Sequence, residues 1–223
     1  MQADGGLPGA PIVGGFVQPS ELGLKMPESF ERKIRQVIDR AVGRTLGTTR
    51  LPAIVLTVAA PILSLGVLAL IAFGELVWAG VCLAFTGLLD MLDGALARAQ
   101  NDTSRRGAFL DSTLDRYCEA LVFFGFMLYY HRVAPGSTEL LLVYAACAGS
   151  LITSYARARA EGLGFDGKVG LLERPQRVLL LIVGLLTGWM TAVLWILAVL
   201  ANVTALQRIV HVVRQGPGAA PPA

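Results

Sequence analysis

Long apolar runs alternate with short charged breaks along this chain. The first run covers residues 51–73, carries Pro61 as an expected kink, and stops at Gly74-Glu75. A second starts near Leu76 and continues into Asp90. A third begins near Gly107, reaches Tyr130 and ends in the polar stretch HRVAPGST. The fourth spans Leu140 to Tyr155 and is followed by the charged segment ARARAEGLGFDGKVGLLERPQR. The last run, Val178 to Leu206, has no charge. At about 1.5 Å per residue it is too long for one bilayer crossing, and Gly188-Trp189 offers a turn in its middle. Runs of this kind predict membrane spans. The expected fold is an all-α integral membrane protein with six transmembrane helices.

An amphipathic interfacial helix is expected to precede the spans. Phe30, Ile34, Val37, Ile38 and Val42 recur at helical spacing, while Arg32, Lys33, Arg35, Arg40 and Arg44 occupy other faces. A helix capping the membrane domain from the aqueous side is the alternative reading. The expected organisation is a Gly- and Pro-rich disordered tail over 1–25 and the juxtamembrane helix over 26–46. The membrane domain follows over 47–214, and a short disordered tail over 215–223.

Basic residues orient the spans. With six crossings both termini share one side. If that side is the cytoplasm, only Arg132 of the 19 Lys and Arg residues falls outside the cytoplasmic segments and adjoining helix ends. A single tilted span over 178–206 would move Arg208 and Arg214 outside, so six is preferred. The expected location is the cell (inner) membrane, multi-pass, with both termini cytoplasmic. No apolar stretch follows a short basic segment at the N-terminus, so a signal peptide is not expected.

Composition narrows the class further. At 54% hydrophobic residues the chain is neither a disordered protein nor an ordinary soluble domain, and a net charge of +3 is uninformative. Nucleic acid is not an expected partner. Cys82, Cys118 and Cys147 are odd in number and set in apolar text, which fits small core residues rather than a disulfide framework.

The candidate chemistry lies in the stretch DMLDGALARAQNDTSRRGAFLDSTLD, which holds Asp90, Asp93, Asp111 and Asp115. On helices, Asp90 and Asp93 share one face, as do Asp111 and Asp115. Gly94 and Ala97 continue the Asp90 stripe and Gly107 sits one turn before Asp111, so a bulky ligand can approach the backbone there. Carboxylates at membrane depth default to a functional reading. A salt-bridge cluster with Arg98, Arg105 and Arg106 is the structural alternative, but acids without intervening bases repel one another. A bound cation relieves that repulsion, and all-oxygen ligation suggests Mg²⁺ or Mn²⁺. Two such ions would suit a diphosphate substrate.

Asp90-x-x-Asp93-Gly94-x-x-Ala97-Arg98, eight residues, Gly107-x-x-x-Asp111-x-x-x-Asp115 resembles the full signature of the CDP-alcohol phosphotransferases. The resemblance implies six transmembrane helices, a homodimer in membrane lipid, and a dinuclear metal site with the active site on the cytoplasmic side. It implies displacement of CMP from CDP-diacylglycerol by a second alcohol, by in-line attack at phosphorus and without a covalent enzyme intermediate. Asp90 and Asp111 would bridge both metals, Asp93 would bind one and Asp115 the other. Asp115 would also be the general base. Pro52, Gly94, Ala97, Arg98, Ser104 and Gly107 would contact the CDP-lipid. The start of the first span departs from the family, with Leu51-Pro52-Ala53 where Thr-Pro-Asn or Thr-Pro-Asp is common. His131 and His211 lie outside the signature and read as interfacial or solvated residues.

The acceptor is read from the charged breaks. Ser154, Arg157, Arg159 and Glu161 close the fourth span, Lys168, Glu173, Arg174 and Arg177 open the fifth, and Arg208 ends the sixth. Clustered arginines suit a phosphate, although a solvated loop is the plainer explanation for any one of them. The segments SYARARAEG and GLLERPQR resemble those of bacterial phosphatidylinositol phosphate synthases, with Arg157 in place of a Lys and Gln176 in place of a Glu. That match makes Ser154, Arg157, Arg174, Arg177 and Arg208 the candidates for binding the acceptor phosphate. The implied acceptor is a phosphorylated polyol, inositol 1-phosphate, with glycerol 3-phosphate (giving phosphatidylglycerol phosphate) as the alternative. An ion-coupled transporter is a remote alternative, since it has no need of the Ala-Arg and glycine spacing. A purely structural membrane scaffold is more remote still.

Overall fold

The computed structural model describes residues 53–99 and 105–215, with side chains for 59–92 and 106–215. The expected N-terminal tail, the amphipathic helix over 26–46 and residues 216–223 lie outside the described residues. Six helices are described: α1 Ala53–Phe73, α2 Leu76–Ala99, α3 Arg105–Val133, α4 Thr138–Gly162, α5 Arg174–Thr187 and α6 Met190–Arg214. There is no strand among the described residues.

The expected boundaries hold in outline and shift where charge meets helix propensity. Pro61 lies inside one uninterrupted α1. α4 runs on through the charged text to Gly162, because Ala, Arg and Glu are strong helix formers and Arg157 pairs with Glu161 one turn on at 2.9 Å. The last apolar run is divided at the predicted place. Gly188 takes a left-handed φ of 78° and its N–H donates to the Gly184 carbonyl at 3.0 Å, closing α5. α5 opens earlier than its apolar text does. Glu173 is its N-cap and Gln176 its N3 residue, and they form a capping box in which the Glu173 N–H donates to Gln176 Oε1 at 2.8 Å. Gln176, the departure from the related motif, therefore still does a capping residue's job.

Each helix packs on two others, in the order α1, α2, α5, α6, α4, α3 and back to α1. The interior holds Val67, Ile71, Phe123, Phe126, Leu181 and Leu194, all at 1% exposure or less. Glycines let the helices come close: a Cβ on Gly125 would lie 3.0 Å from the Leu68 carbonyl, and one on Gly184 3.0 Å from Met190 and Val193. Outward faces are apolar as well, with Phe73, Trp78, Tyr144 and Trp195 exposed. Two helices, α4 and α6, are long and apolar enough by themselves to cross a membrane. Among the rest, α2 and α3 each carry two acids of the signature and α5 has only 14 residues.

One end of this ring gathers the polar residues. Asp90 is near the end of α2, Asp111 and Asp115 near the start of α3, Ser154 and Arg157 late in α4, Arg174 at the start of α5 and Arg208 late in α6. The loop over 163–173 is tied to α6 there. The Leu172 N–H donates to Thr204 Oγ1 at 3.1 Å, Arg208 Nε donates to the Val169 carbonyl at 2.7 Å, and Gln215 Nε2 donates to the Asp166 carbonyl at 2.7 Å. Gly170 makes this approach possible: at φ 137° a Cβ would collide with Thr204 Cγ2.

Candidate active site

The carboxylates of Asp90, Asp111 and Asp115 converge, with one oxygen from each within 4.8 Å of the others. Helical spacing explains the α3 pair, and α1, packed on both α2 and α3, holds Asp90 opposite them. The side chains of the fourth acid, Asp93, and of Gly94, Ala97, Arg98 and Arg105 lie outside the described residues, as do Pro52 and Ser104 altogether. Gly107 is in the first turn of α3.

The cation that meets these acids comes from far along the chain. Arg174 bridges two of them, with Nη1 at 3.0 Å from Asp90 Oδ2 and Nη2 at 2.7 Å from Asp115 Oδ1. Packing of α5 against α2 brings it there. Arg116, one residue past Asp115, turns back to donate to the Ser112 carbonyl of its own helix. Three carboxylates, two of them paired with one guanidinium, keep a surplus of negative charge. With oxygen as the only donor atom, the set fits a hard divalent cation.

Beside the carboxylates lies a cavity of about 430 Å³. All five residues expected to bind the acceptor phosphate, Ser154, Arg157, Arg174, Arg177 and Arg208, line it together with Asp111 and Asp115. Its size suits a small ligand. The arginines are held differently. Arg157 is in a half-exposed pair with Glu161 on its own helix, an interaction worth little, so it can turn to a ligand at small cost. Arg208 is buried at 3% exposure and fixed by Nη1 donating to the Thr153 carbonyl at 2.6 Å and Nε to Val169. Arg177 is the most enclosed. Its Nε and Nη2 donate to the two oxygens of Glu119 at 2.7 and 2.9 Å, and Nη2 also donates to Ser154 Oγ at 3.2 Å.

Glu119 lies outside the signature, which ends at Asp115, and is not among the residues predicted from the sequence. A signal was present: it stands one turn after Asp115 and two after Asp111, where the apolar stretch of the same helix begins. His131 and His211 do not line the cavity. All three cysteines are free.

The sequence model of the CDP-alcohol phosphatidyltransferase family matches residues 50–207. The chain belongs to this family. Among curated phosphatidyltransferase-related proteins it is 38% identical over 168 residues to the phosphatidylinositol phosphate synthase of Mycolicibacterium smegmatis, covering 71% of this chain and 75% of that protein. It is 35% identical over 191 residues to the archaetidylinositol phosphate synthase of Methanothermobacter thermautotrophicus, covering 83% and 95%. Among solved structures it resembles the phosphatidylinositol phosphate synthase PgsA1 of Mycobacterium tuberculosis. The form with CDP-DAG bound gives a TM-score of 0.73 at 29% identity over 86% of this chain and 99% of that one. The form in complex with manganese and citrate gives 0.71 at 28% identity over 85% and 93%. As a CDP-alcohol phosphatidyltransferase the chain is a transferase of phospholipid biosynthesis, and its clustered aspartates are the family's expected place for divalent cations.

Proposed function

We propose that this chain transfers the phosphatidyl group of CDP-diacylglycerol to inositol 1-phosphate, releasing CMP and forming phosphatidylinositol phosphate. One observation carries the proposal: the converging aspartates open onto a cavity lined by Arg157, Arg174, Arg177 and Arg208. A site with that many guanidinium groups suits an acceptor that brings its own phosphate, and uncharged alcohols fit it less well. One curated relative is named for a phosphatidyl product and the other for an archaetidyl product, while both names carry inositol phosphate. The shared element is the acceptor.

In this reading Asp90, Asp93, Asp111 and Asp115 hold two divalent cations, Mg²⁺ or Mn²⁺. When bound, these neutralise charge on the diphosphate and on its CMP leaving group. Gly94, Ala97, Arg98, Ser104 and Gly107, with Pro52, receive the nucleotide half of the CDP-lipid. The arginines and Ser154 orient the acceptor phosphate. Asp115 takes the proton of the acceptor hydroxyl as that oxygen bonds to the phosphorus nearer the lipid and the bond from phosphorus to CMP breaks. The Arg174 contact uses Oδ1 of Asp115, which leaves Oδ2 to accept the proton.

The apolar outer faces of the ring support a multi-pass membrane protein with six spans over 47–214. The amphipathic sequence over 26–46 supports an interfacial helix ahead of it, and the distribution of basic residues supports a cytoplasmic active site and cytoplasmic termini. A homodimer in the cell (inner) membrane completes the proposal.

The test is CMP release by purified protein with CDP-diacylglycerol and Mg²⁺ or Mn²⁺, with inositol 1-phosphate and glycerol 3-phosphate supplied separately. Stimulation by inositol 1-phosphate is expected. Stimulation by glycerol 3-phosphate alone would keep the reaction and overturn the acceptor. Chelation with EDTA is expected to stop release, and excess Mg²⁺ or Mn²⁺ to restore it; release that survives chelation would remove the cations from the reaction. Arg208→Ala and Arg174→Ala are expected to raise the KM for the acceptor about tenfold or more, and that for CDP-lipid by less. Equal effects on both substrates would take these arginines out of the acceptor site.

A further inference from the structure

α3 and α5 are not neighbours in the ring, yet two ion pairs join them across it. The outer rung is Asp115 to Arg174, with side chains 19% and 30% exposed. The inner rung lies one turn deeper, Glu119 to Arg177, with side chains 3% and 1% exposed. The inner rung is nearly buried, lines the cavity and is bidentate, so both partners are held in one geometry. It fixes the separation between the helix that bears Asp115 and the helix that bears Arg174. It also commits Ser154. By accepting from Arg177 Nη2, Ser154 Oγ is left with its own proton to donate, and among the described residues that proton has no acceptor. Ser154 lines the cavity.

We infer that Glu119 is a positioning residue for the acceptor, acting through Arg177 on Ser154. Its carboxylate orients the Arg177 fork, the fork takes a lone pair of Ser154, and the Ser154 hydroxyl donates to an oxygen of the phosphorylated polyol in the cavity. Glu119 lines the cavity too, but both of its oxygens accept from Arg177, so it acts through that fork. This rests on the proposed transfer to a phosphorylated polyol, and adds to it a residue outside the aspartate signature that governs acceptor affinity. Loss of the charge on Glu119 leaves the fork with a weaker and single-sided partner. Ser154 then turns, and the acceptor hydroxyl is displaced from Asp115.

The experiment is steady-state CMP release with each substrate varied, in wild type, Glu119→Gln, Ser154→Ala and the double variant, alongside calorimetric titration of inositol 1-phosphate. Glu119→Gln is expected to raise acceptor KM about tenfold, since small displacements at a reacting group have large effects. CDP-lipid KM is expected to stay within about twofold, because a residue acting only on the acceptor leaves the other substrate's binding unchanged. The double variant is expected to be no worse than the poorer single one, because both act on one contact. Should Glu119→Gln not yield folded protein, Glu119→Asp retains the charge and shortens the reach, and the same substrate split is expected of it. Parallel changes in both KM values, or single effects that multiply in the double variant, would overturn the inference and leave the proposed reaction standing. Absence of acceptor-dependent release and of acceptor binding in wild type would overturn both.

Discussion

Asp115→Asn is expected to abolish CMP release while CDP-diacylglycerol still binds. The substitution keeps the size and shape of the side chain and removes its ability to take a proton. Loss of a positioned general base lowers rate by about 10²–10⁴-fold. The neighbours sharpen the expectation. Asp115 is one of three converging carboxylates, so the charge that attracts divalent cations also falls, and the deficit is expected at the upper end of that range. Arg174 loses its anionic partner on Nη2 but keeps Asp90 on Nη1, so the fold of this corner is retained. Single-turnover CMP release with excess protein separates chemistry from substrate binding, and equilibrium binding of CDP-lipid supplies the second readout. Turnover within tenfold of wild type would mean that another group removes the proton.

The parts of this molecule that follow from local pattern can be read from the chain. The break at Gly188, the face shared by Asp111 and Asp115, and the glycine-flanked acids all depend on spacing over a few residues. Family resemblance then brings Ser154, Arg157, Arg174, Arg177 and Arg208 to one cavity, although more than fifty residues separate the first from the last. Two features escape such reading. Arg174 belongs to a phosphate-binding motif by sequence, yet it sits between Asp90 and Asp115, because the packing of α5 on α2 is tertiary and has no periodic signature. Glu119 lies in text that reads as a membrane span, and what identifies its partner is the burial of Arg177 at the opposite side of the ring. A buried acid and a buried base, each costly alone, announce one another only once the helices are assembled. The charged end of α4 stays helical although its apolar run ends near Tyr155, because Ala, Arg and Glu favour helix.

Arg177→Ala is expected to produce the largest loss of stability of any single arginine substitution in the site. Removing it leaves the Glu119 carboxylate, 3% exposed at the wall of the cavity, without its bidentate partner. Breaking a buried pair by deleting one partner costs about 3–5 kcal/mol, most of it the penalty of the uncompensated charge. Arg157→Ala is the control. Its pair with Glu161 is exposed at 39% and 45% on one helix, and such pairs contribute about 0–1 kcal/mol. Thermal unfolding in detergent is expected to show a marked drop in apparent Tm for the first and little change for the second. Replacing both buried partners together, Glu119→Leu with Arg177→Met, removes the two charges as well as their attraction and is expected to recover most of the lost stability. Recovery of stability without recovery of acceptor KM would divide the roles of the pair: the attraction offsets its own desolvation, while the charged geometry serves the acceptor. Equal melting of Arg177→Ala and wild type would mean that Glu119 finds another partner or a proton when its own is removed, and that the inner rung does not hold α3 and α5 in register.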